Sequence, residues 1–392
     1  MLTKDDTMTS AKCPACASEL TQKVYPDFSG TCITSDMEIL PNARIDNRIC
    51  ETCGLVFNAA GTRGATREFY RDSYSLMTKN NEAAIQSFSG PKPISQADRT
   101  FELLKKFWKL PASGVILEAG AGKGAFLSLF ADEFPNWEMH AFEPSQSFDY
   151  LARALPQAST KRCDYFDFVL GGEGADLVVA LGVLEHVENP LDMLVWANGQ
   201  LKEGGRFYIR VPNFAKNPND LFCGDHLSKI TVPTLRVLAE AAGFRVEVIE
   251  EAGVPVFTLL IKHSAPSGKL NNACKENLPI VDSNVAVAKG IVDSILACRN
   301  AARSKGEQFA IFGLASAGLF APFVGKFDAD EIAAYIDENK TIWGNKVHGR
   351  PVGGIDLVAS CNIRHVALSI SPIYFEQVKA KLAPLGVAIY TA

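Results

Sequence analysis

The sequence predicts an α/β protein with a mostly parallel sheet in its middle, a cysteine-bearing module before it and a smaller α/β module after it. Three observations carry that prediction. Short apolar runs alternate with helical segments from Gly114 to Ile261, the signature of a parallel sheet covered on both faces. Two CxxC pairs stand near the N-terminus, and the C-terminal stretch repeats the strand–helix alternation in miniature. At 392 residues the chain also exceeds one ordinary core, so several domains are expected.

Residues 1–62 hold five of the ten cysteines and little helical periodicity. Cys13-Pro-Ala-Cys16 and Cys50-Glu-Thr-Cys53 each can place two thiolates on one side of a tetrahedral ion, with Gly54 suiting the turn that follows. In a large chain whose first residues lack a basic-then-apolar export pattern, such pairs predict metal ligation rather than disulfides. The expectation is one zinc held by Cys13, Cys16, Cys50 and Cys53, structural because four thiolates leave no open position. Residues 63–110 read as a helical lid or connector ending in an amphipathic run with Phe101, Leu103, Leu104, Phe107 and Trp108.

The central domain, 111–263, carries apolar runs at Val115–Glu118, Met139–Phe142, Leu177–Leu181 and Arg206–Val211, with a late pair at Arg245–Ile249 and Phe257–Ile261. Pro266, Gly268, Asn271 and Asn272 mark a linker over 264–284. A helix is expected from Val285 to Arg303, opening a C-terminal α/β domain over 285–392 with strands near Phe309–Phe312, Ile332–Asp337, His365–Ile370 and Val387–Tyr390. The net charge of −5, with acids and bases mixed, argues against nucleic-acid and membrane partners. No apolar stretch approaches the ~20 residues of a membrane span. The expected compartment is the cytoplasm.

The strongest central signal is Val-Ile-Leu-Glu118-Ala-Gly120-Ala-Gly122-Lys-Gly124. A strand runs into a turn with glycine at every second position, and a helix follows. Such glycines let the backbone approach a ligand and adopt positive φ, and the helix N-terminus offers unpaired N–H groups. The spacing is GxGxG, not the GxGxxG of the dinucleotide fingerprint. Glu118 stands where a carboxylate could meet a cationic amino acid, and Glu143 closes the second strand where an acid could accept both ribose hydroxyls, a feature that dinucleotide-binding domains share.

Here the chain resembles the class I S-adenosylmethionine-dependent methyltransferases. The resemblance continues through Cys163-Asp164-Tyr165-Phe166, where the family places an acid on the adenine amino group beside an aromatic; Asp164 is favoured over Asp167 because it comes first after the strand. Further on, Leu177 to Leu181 with Gly-Val-Leu-Glu185-His186-Val resembles the family's fourth strand and its continuation, and Lys202-Glu-Gly-Gly205 precedes the fifth. The resemblance implies S-adenosylmethionine held by Glu118, Gly120, Gly122, Gly124, Glu143, Asp164, Tyr165 and Leu181. It implies a central Rossmann-like sheet, mostly parallel with one antiparallel strand. Glu185 and His186 read more readily as a corner of the fold than as catalysts.

A zinc-binding N-terminal domain, a methyltransferase core and a small C-terminal α/β domain together resemble the C-methyltransferases of nucleotide-linked 4-keto deoxysugars. That family carries a Tyr-x-Glu-His-like segment whose histidine acts as base. Here the segment is Cys223-Gly224-Asp225-His226. His226 matches the histidine, Asp225 stands in place of glutamate, and the tyrosine is replaced by Cys223. Tyr74, in Phe69-Tyr70-Arg-Asp-Ser-Tyr74, resembles a second family tyrosine. A histidine with a reference pKa near ~6.5 suits proton removal beside a ketone. The implied partner is a small molecule, a nucleotide sugar. The competing readings are an O- or N-methyltransferase of another metabolite and, from other classes, a nicotinamide-dependent oxidoreductase or a non-catalytic zinc adaptor. In the C-terminal domain Phe312-Gly313-Leu-Ala-Ser-Ala-Gly318 and Asp337 form a second glycine turn, open to a nucleotide or to a purely docking role.

Overall fold

The computed structural model describes residues 11–35, 39–61, 85–87, 94–251, 253–314 and 316–392. Strands β1 (Thr21–Ile33), β2 (Ile39–Cys50) and β3 (Val56–Asn58) form an antiparallel N-terminal sheet. A short pair, β4 (Ile85–Ser87) and β5 (Ile94–Ser95), precedes the helix Gln96–Phe107. Ser95 caps that helix by accepting from Asp98 N, and the helix buries Phe101 and Leu104. The Phe101 ring meets Phe126 and Phe130 edge-on, so the amphipathic stripe read from the sequence packs on the middle domain.

The middle sheet contains β6 (Val115–Ala119), β7 (Glu138–Phe142), β8 (Ser159–Lys161), β9 (Ala175–Leu181) and β10 (Leu201–Pro212). After β10 the chain leaves the sheet to make β11 (Ser228–Lys229), then returns as β12 (Phe244–Glu251) and β13 (Pro255–Lys262). The order is β12-β13-β10-β9-β6-β7-β8, with β13 antiparallel to both neighbours and the other pairs parallel. Near-continuous burial along β6 and β9 is what coverage on both faces demands.

The two-residue strand β11 does not join this sheet. It pairs with β3, Ser228 opposite Phe57 and Lys229 opposite Val56, and so completes the N-terminal sheet. The segment just before β11 is therefore pinned to the cysteine module.

The C-terminal sheet has β14 (Gln308–Phe312), β15 (Ile332–Ile336), β16 (Lys346–Val347), β17 (Arg350–Gly353), β18 (Ile363–Leu368) and β19 (Ala388–Tyr390) in the order β16-β17-β15-β14-β18-β19. Apart from the edge strand β16 its pairs are parallel. Its core order β17-β15-β14-β18-β19 repeats that of β8-β7-β6-β9-β10.

The helix Cys274–Lys305 packs on the C-terminal sheet against β14, β18 and β19 and starts eleven residues before the Val285 expected from sequence. Pro279 and the neighbouring asparagines hid its start; contacts with the cysteine module hold it. Asn277 Nδ2 donates to Gly54 O at 2.8 Å, and Ala273 N donates to Cys53 O at 3.3 Å. Among the described residues no helix is long and apolar enough to cross a membrane.

Candidate functional site

The glycine turn follows β6 directly. Gly120, Gly122 and Gly124 all have positive φ, at 64°, 55° and 82°. A Cβ on Gly120 would lie 2.7 Å from the Val183 side chain, and one on Gly124 would lie 2.9 Å from Leu151. Side chains are therefore excluded twice over, by conformation and by space. The helix Ala125–Glu133 starts at once, with Gly124 at its cap and no side-chain cap bond.

Glu143, at the end of β7, accepts from Gly122 N at 2.8 Å and from Ser145 N at 2.9 Å. Burial pushes its carboxyl upward, opposed by those bonds. Glu118 is 3 % exposed, and its Oε2 has no hydrogen-bond partner among the described residues. Burial, reinforced by the nearby Glu143 charge, pushes its carboxyl up to about 8. A backbone bond from Leu127 opposes that rise, and a buried acid with one oxygen still unpartnered calls for a cation. The turn thus fits the ligand implied by the sequence resemblance, with an α-ammonium and sulfonium for Glu118 and a ribose diol for Glu143.

The remaining residues expected around that ligand lie on the same edge. Leu181 ends β9, and Asp164 caps the 3-10 turn Tyr165–Asp167 and is half-buried. Tyr165 is buried with its ring 5.8 Å from Trp196, whereas its neighbour Phe166 is 45 % exposed. Tyr74 lies outside the described residues.

The second half of the site is the loop between β10 and β11. His226 Nδ1 is hydrogen-bonded to the Asp220 carboxylate, and both residues are buried. Asp225 points elsewhere. It accepts from Ser35 N and Ser35 Oγ, each at 2.7 Å, and from Cys223 Sγ at 3.1 Å, while His186 Nδ1 lies 3.4 Å from its other edge. Burial would raise the Asp225 carboxyl, but the two histidines and Ser35 win and hold it at about 2. For Asp220, too, burial is overcome by the His226 charge, and its carboxyl is lowered. For His226 burial favours the neutral ring, yet Cys223 and Asp220 raise its proton affinity well above the ordinary histidine value. The loop is braced from beneath by Lys229, a fully buried lysine whose ammonium donates to the His226 and Cys223 carbonyls.

A cavity of about 320 Å³ opens at this loop. Asp220, Cys223 and His226 form one wall, Thr34 and Ser35 come from the β1–β2 turn, and Leu314, Ser371 and Tyr374 come from the C-terminal domain. All three sheets contribute to it. The short segment after β9 joins the cavity to the glycine turn. Val183 packs against Gly120, His186 N donates to Val183 O at 3.0 Å, and the His186 ring lies 4.7 Å from that of His226. Asp220, Ser35, Lys229 and Tyr374 carried no sequence signal. Each is an ordinary residue type in a loop, brought to the site by strand exchange and domain packing.

The four predicted cysteines converge. Cys13 Sγ lies 3.6 Å from Cys53 Sγ and Cys16 Sγ 3.5 Å from Cys50 Sγ, with all four sulfurs within 4.8 Å of one another. Thiolates on a tetrahedral ion at ~2.3 Å would stand ~3.8 Å apart. Gly54, at φ 83°, cannot be replaced: a Cβ there would be 2.6 Å from the backbone of Ala273 and Cys274.

Residues 95–249 match the family model described as a methyltransferase domain. No curated protein sequence matches the chain. Among solved structures it is similar to an S-adenosylmethionine dependent methyltransferase from Mesorhizobium loti, at 17% identity over 41% of this chain and 96% of that one, with a TM-score of 0.36. It is similar to a second from Aquifex aeolicus at 16% identity, over 42% of this chain and 89% of that one, with a TM-score of 0.36.

Proposed function

Taking as premise that the middle of the chain is an S-adenosylmethionine-dependent methyltransferase domain, we propose that the protein methylates carbon beside the ketone of a nucleotide-linked deoxysugar. The observation that carries this reading is His226, buried at the wall of a cavity shared by three domains and one short segment away from the cofactor turn. Forming a carbon nucleophile beside a ketone requires a base, and His226 is placed to be that base.

S-adenosylmethionine, when bound, supplies an electrophilic methyl group. Glu118 and Glu143 hold its charged and ribose ends, and the backbone of the glycine turn, free of side chains, lets it approach. His226 Nδ1 is engaged by Asp220, so Nε2 is the nitrogen that takes the proton from the substrate's α-carbon. The C–H electron pair then becomes the enolate. Tyr374 lines the same cavity from the C-terminal domain, and its phenol is the group of that domain suited to donate to the developing oxyanion. Cys223 occupies the place of the family's tyrosine, which supports an altered carbonyl partner. Zinc in the four-sulfur cluster would serve the fold, because Cys53 and Gly54 anchor the start of the helix Cys274–Lys305. Metal analysis is expected to return about one zinc per chain.

The test uses dTDP-4-keto-6-deoxyglucose as probe, with S-adenosylhomocysteine present. Deuterium from solvent should enter the carbon next to the ketone, followed on a proton spectrum. His226→Gln should lose this exchange by at least about 100-fold while keeping its affinity for S-adenosylhomocysteine. Exchange at the wild-type rate in that variant removes the base. Methylation of the probe on oxygen instead would favour the O-methyltransferase reading.

A further inference from the structure

The sequence pointed to Asp225 as the acid beside His226, but a different carboxylate holds the ring. Asp220 sits on the 3-10 turn Pro218–Phe222, six residues before His226. That turn is rigidly placed. Phe222 is fully buried against Tyr25 and Phe320, and Asn219 Oδ1 accepts from Ala317 N in the C-terminal domain. One Asp220 oxygen bonds His226 Nδ1. The other, Oδ2, is buried without a hydrogen-bond partner among the described residues, and Asp220 lines the cavity. Asp225, in contrast, spends its acceptors on Ser35, Cys223 and the His186 side, and so ties the loop to the β1–β2 turn.

We propose that Asp220 is the positioning residue of this site: it fixes the His226 ring with Nε2 toward the cavity and stabilises the imidazolium that forms when that nitrogen takes a proton. The inference rests on the reading of His226 as base. In the step, the substrate C–H bond breaks, its electron pair passes into the enolate, and the proton bonds to Nε2. The Nδ1 proton stays on the ring, and Asp220 remains a carboxylate throughout.

The groups facing His226 are Asp220 and Cys223 on its own loop, Asp225 and Lys229 flanking it, and Glu185 and His186 from the end of β9. Only the neutral ring can take a proton. Because Asp220 and Cys223 raise the ring's proton affinity against the effect of burial, exchange should increase with pH through a value above that of an ordinary histidine. Asp220→Asn removes the charge, so the rising limb should move down by at least about one pH unit while the plateau falls by on the order of 100-fold or more, as a mis-set tautomer does elsewhere. Asp220→Glu should restore much of the plateau. Asp225→Asn, whose carboxylate feels the His226 charge without bonding the ring, should move the limb down by less than Asp220→Asn does and leave the plateau nearer wild type.

The experiment measures solvent exchange into dTDP-4-keto-6-deoxyglucose from pH 6 to 10 on the full chain. In parallel, ring-nitrogen spectra of the 15N-histidine-labelled chain are recorded without substrate, the His226 signal being assigned by its absence in His226→Gln. An Asp220→Asn variant with the wild-type limb and plateau overturns the positioning role alone. So does a His226 ring that titrates unchanged in that variant, which decides the matter even if the probe is not turned over. Undiminished exchange in His226→Gln overturns the base itself and Asp220's role with it.

Discussion

In both parallel sheets an acid follows the second strand and holds the first turn. Glu143 accepts from Gly122 N and Ser145 N at 2.8 and 2.9 Å; Asp337, after β15, accepts from Leu314 N and Asn339 N at 2.8 Å each. The difference lies in the first strand and what comes after it. The middle turn has three left-handed glycines and, two residues before the first, the buried acid Glu118. The C-terminal turn has Gly313 at φ 95°, and the residue two before it is the fully buried Ile311. A Cβ on Gly313 would lie 2.3 Å from Ile370, and one on Gly318 would lie 2.6 Å from Ser369. In both turns the glycines let the chain pack closely, and what sets the middle turn apart is the buried carboxyl of Glu118, where the C-terminal turn has Ile311. A repeated scaffold does not repeat the site.

The sharpest way to break this comparison is to remove each acid in turn. Glu143→Ala should weaken S-adenosylhomocysteine by on the order of 100-fold, since charge-assisted hydrogen bonds to the ribose contribute about 1.5–3 kcal/mol each and 1.4 kcal/mol is tenfold. Asp337→Ala should change it by less than about threefold, within the effect of a distant substitution. Calorimetric titration of the full chain distinguishes the two. Similar losses in both variants would mean that both turns serve one ligand.

The contrast between the turns was legible in the sequence because it rests on short-range chemistry. Glycine at positions 120, 122 and 124, Glu118 before them and the two CxxC pairs each act within a few residues of chain. The strand runs were legible for the same reason: burial on both faces leaves an apolar imprint, as in β9. What was not legible depends on contacts far apart in sequence. Nothing near Asp220 announces that it, rather than Asp225, faces His226; that choice follows from Ser35 reaching Asp225 across 190 residues. β11 pairs with β3 because the loop returns to the cysteine module, an exchange between sheets that periodicity cannot reveal. The helix start at Cys274 was masked by Pro279, whose penalty is offset by packing on Gly54 and Cys53.

A smaller effect should come from the charge of Glu118, which has no counterpart at Ile311. Held up at about 8 by burial and by Glu143, its carboxyl is mostly neutral at pH 7 in the free site. The cationic cofactor prefers the anion, so binding should release a proton and tighten as pH rises toward and past that value. Affinity for S-adenosylmethionine should gain about 25-fold between pH 6.5 and 8.5, the limit being tenfold per unit for one linked proton. In Glu118→Gln the dependence should flatten. An affinity that falls with rising pH would place the cation elsewhere.

The smallest effect belongs to the C-terminal turn, and it should appear in stability alone. Burial raises the Asp337 carboxyl against the pull of its two backbone bonds. An acid with a raised folded pKa contributes stability that is fully present below its unfolded value of ~3.9 and is lost as pH rises through the folded value. Asp337→Asn abolishes that dependence and puts an amide donor against one of the two N–H groups of Leu314 and Asn339, a cost of about 1 kcal/mol. The variant should therefore melt a few degrees below wild type at pH 5, with the gap narrowing by pH 8, and bind S-adenosylhomocysteine normally at both. A gap that widens with pH would mean that the Asp337 carboxylate is stabilised when charged, as a carboxylate facing a bound cation would be, and the contrast with the middle turn would then fail.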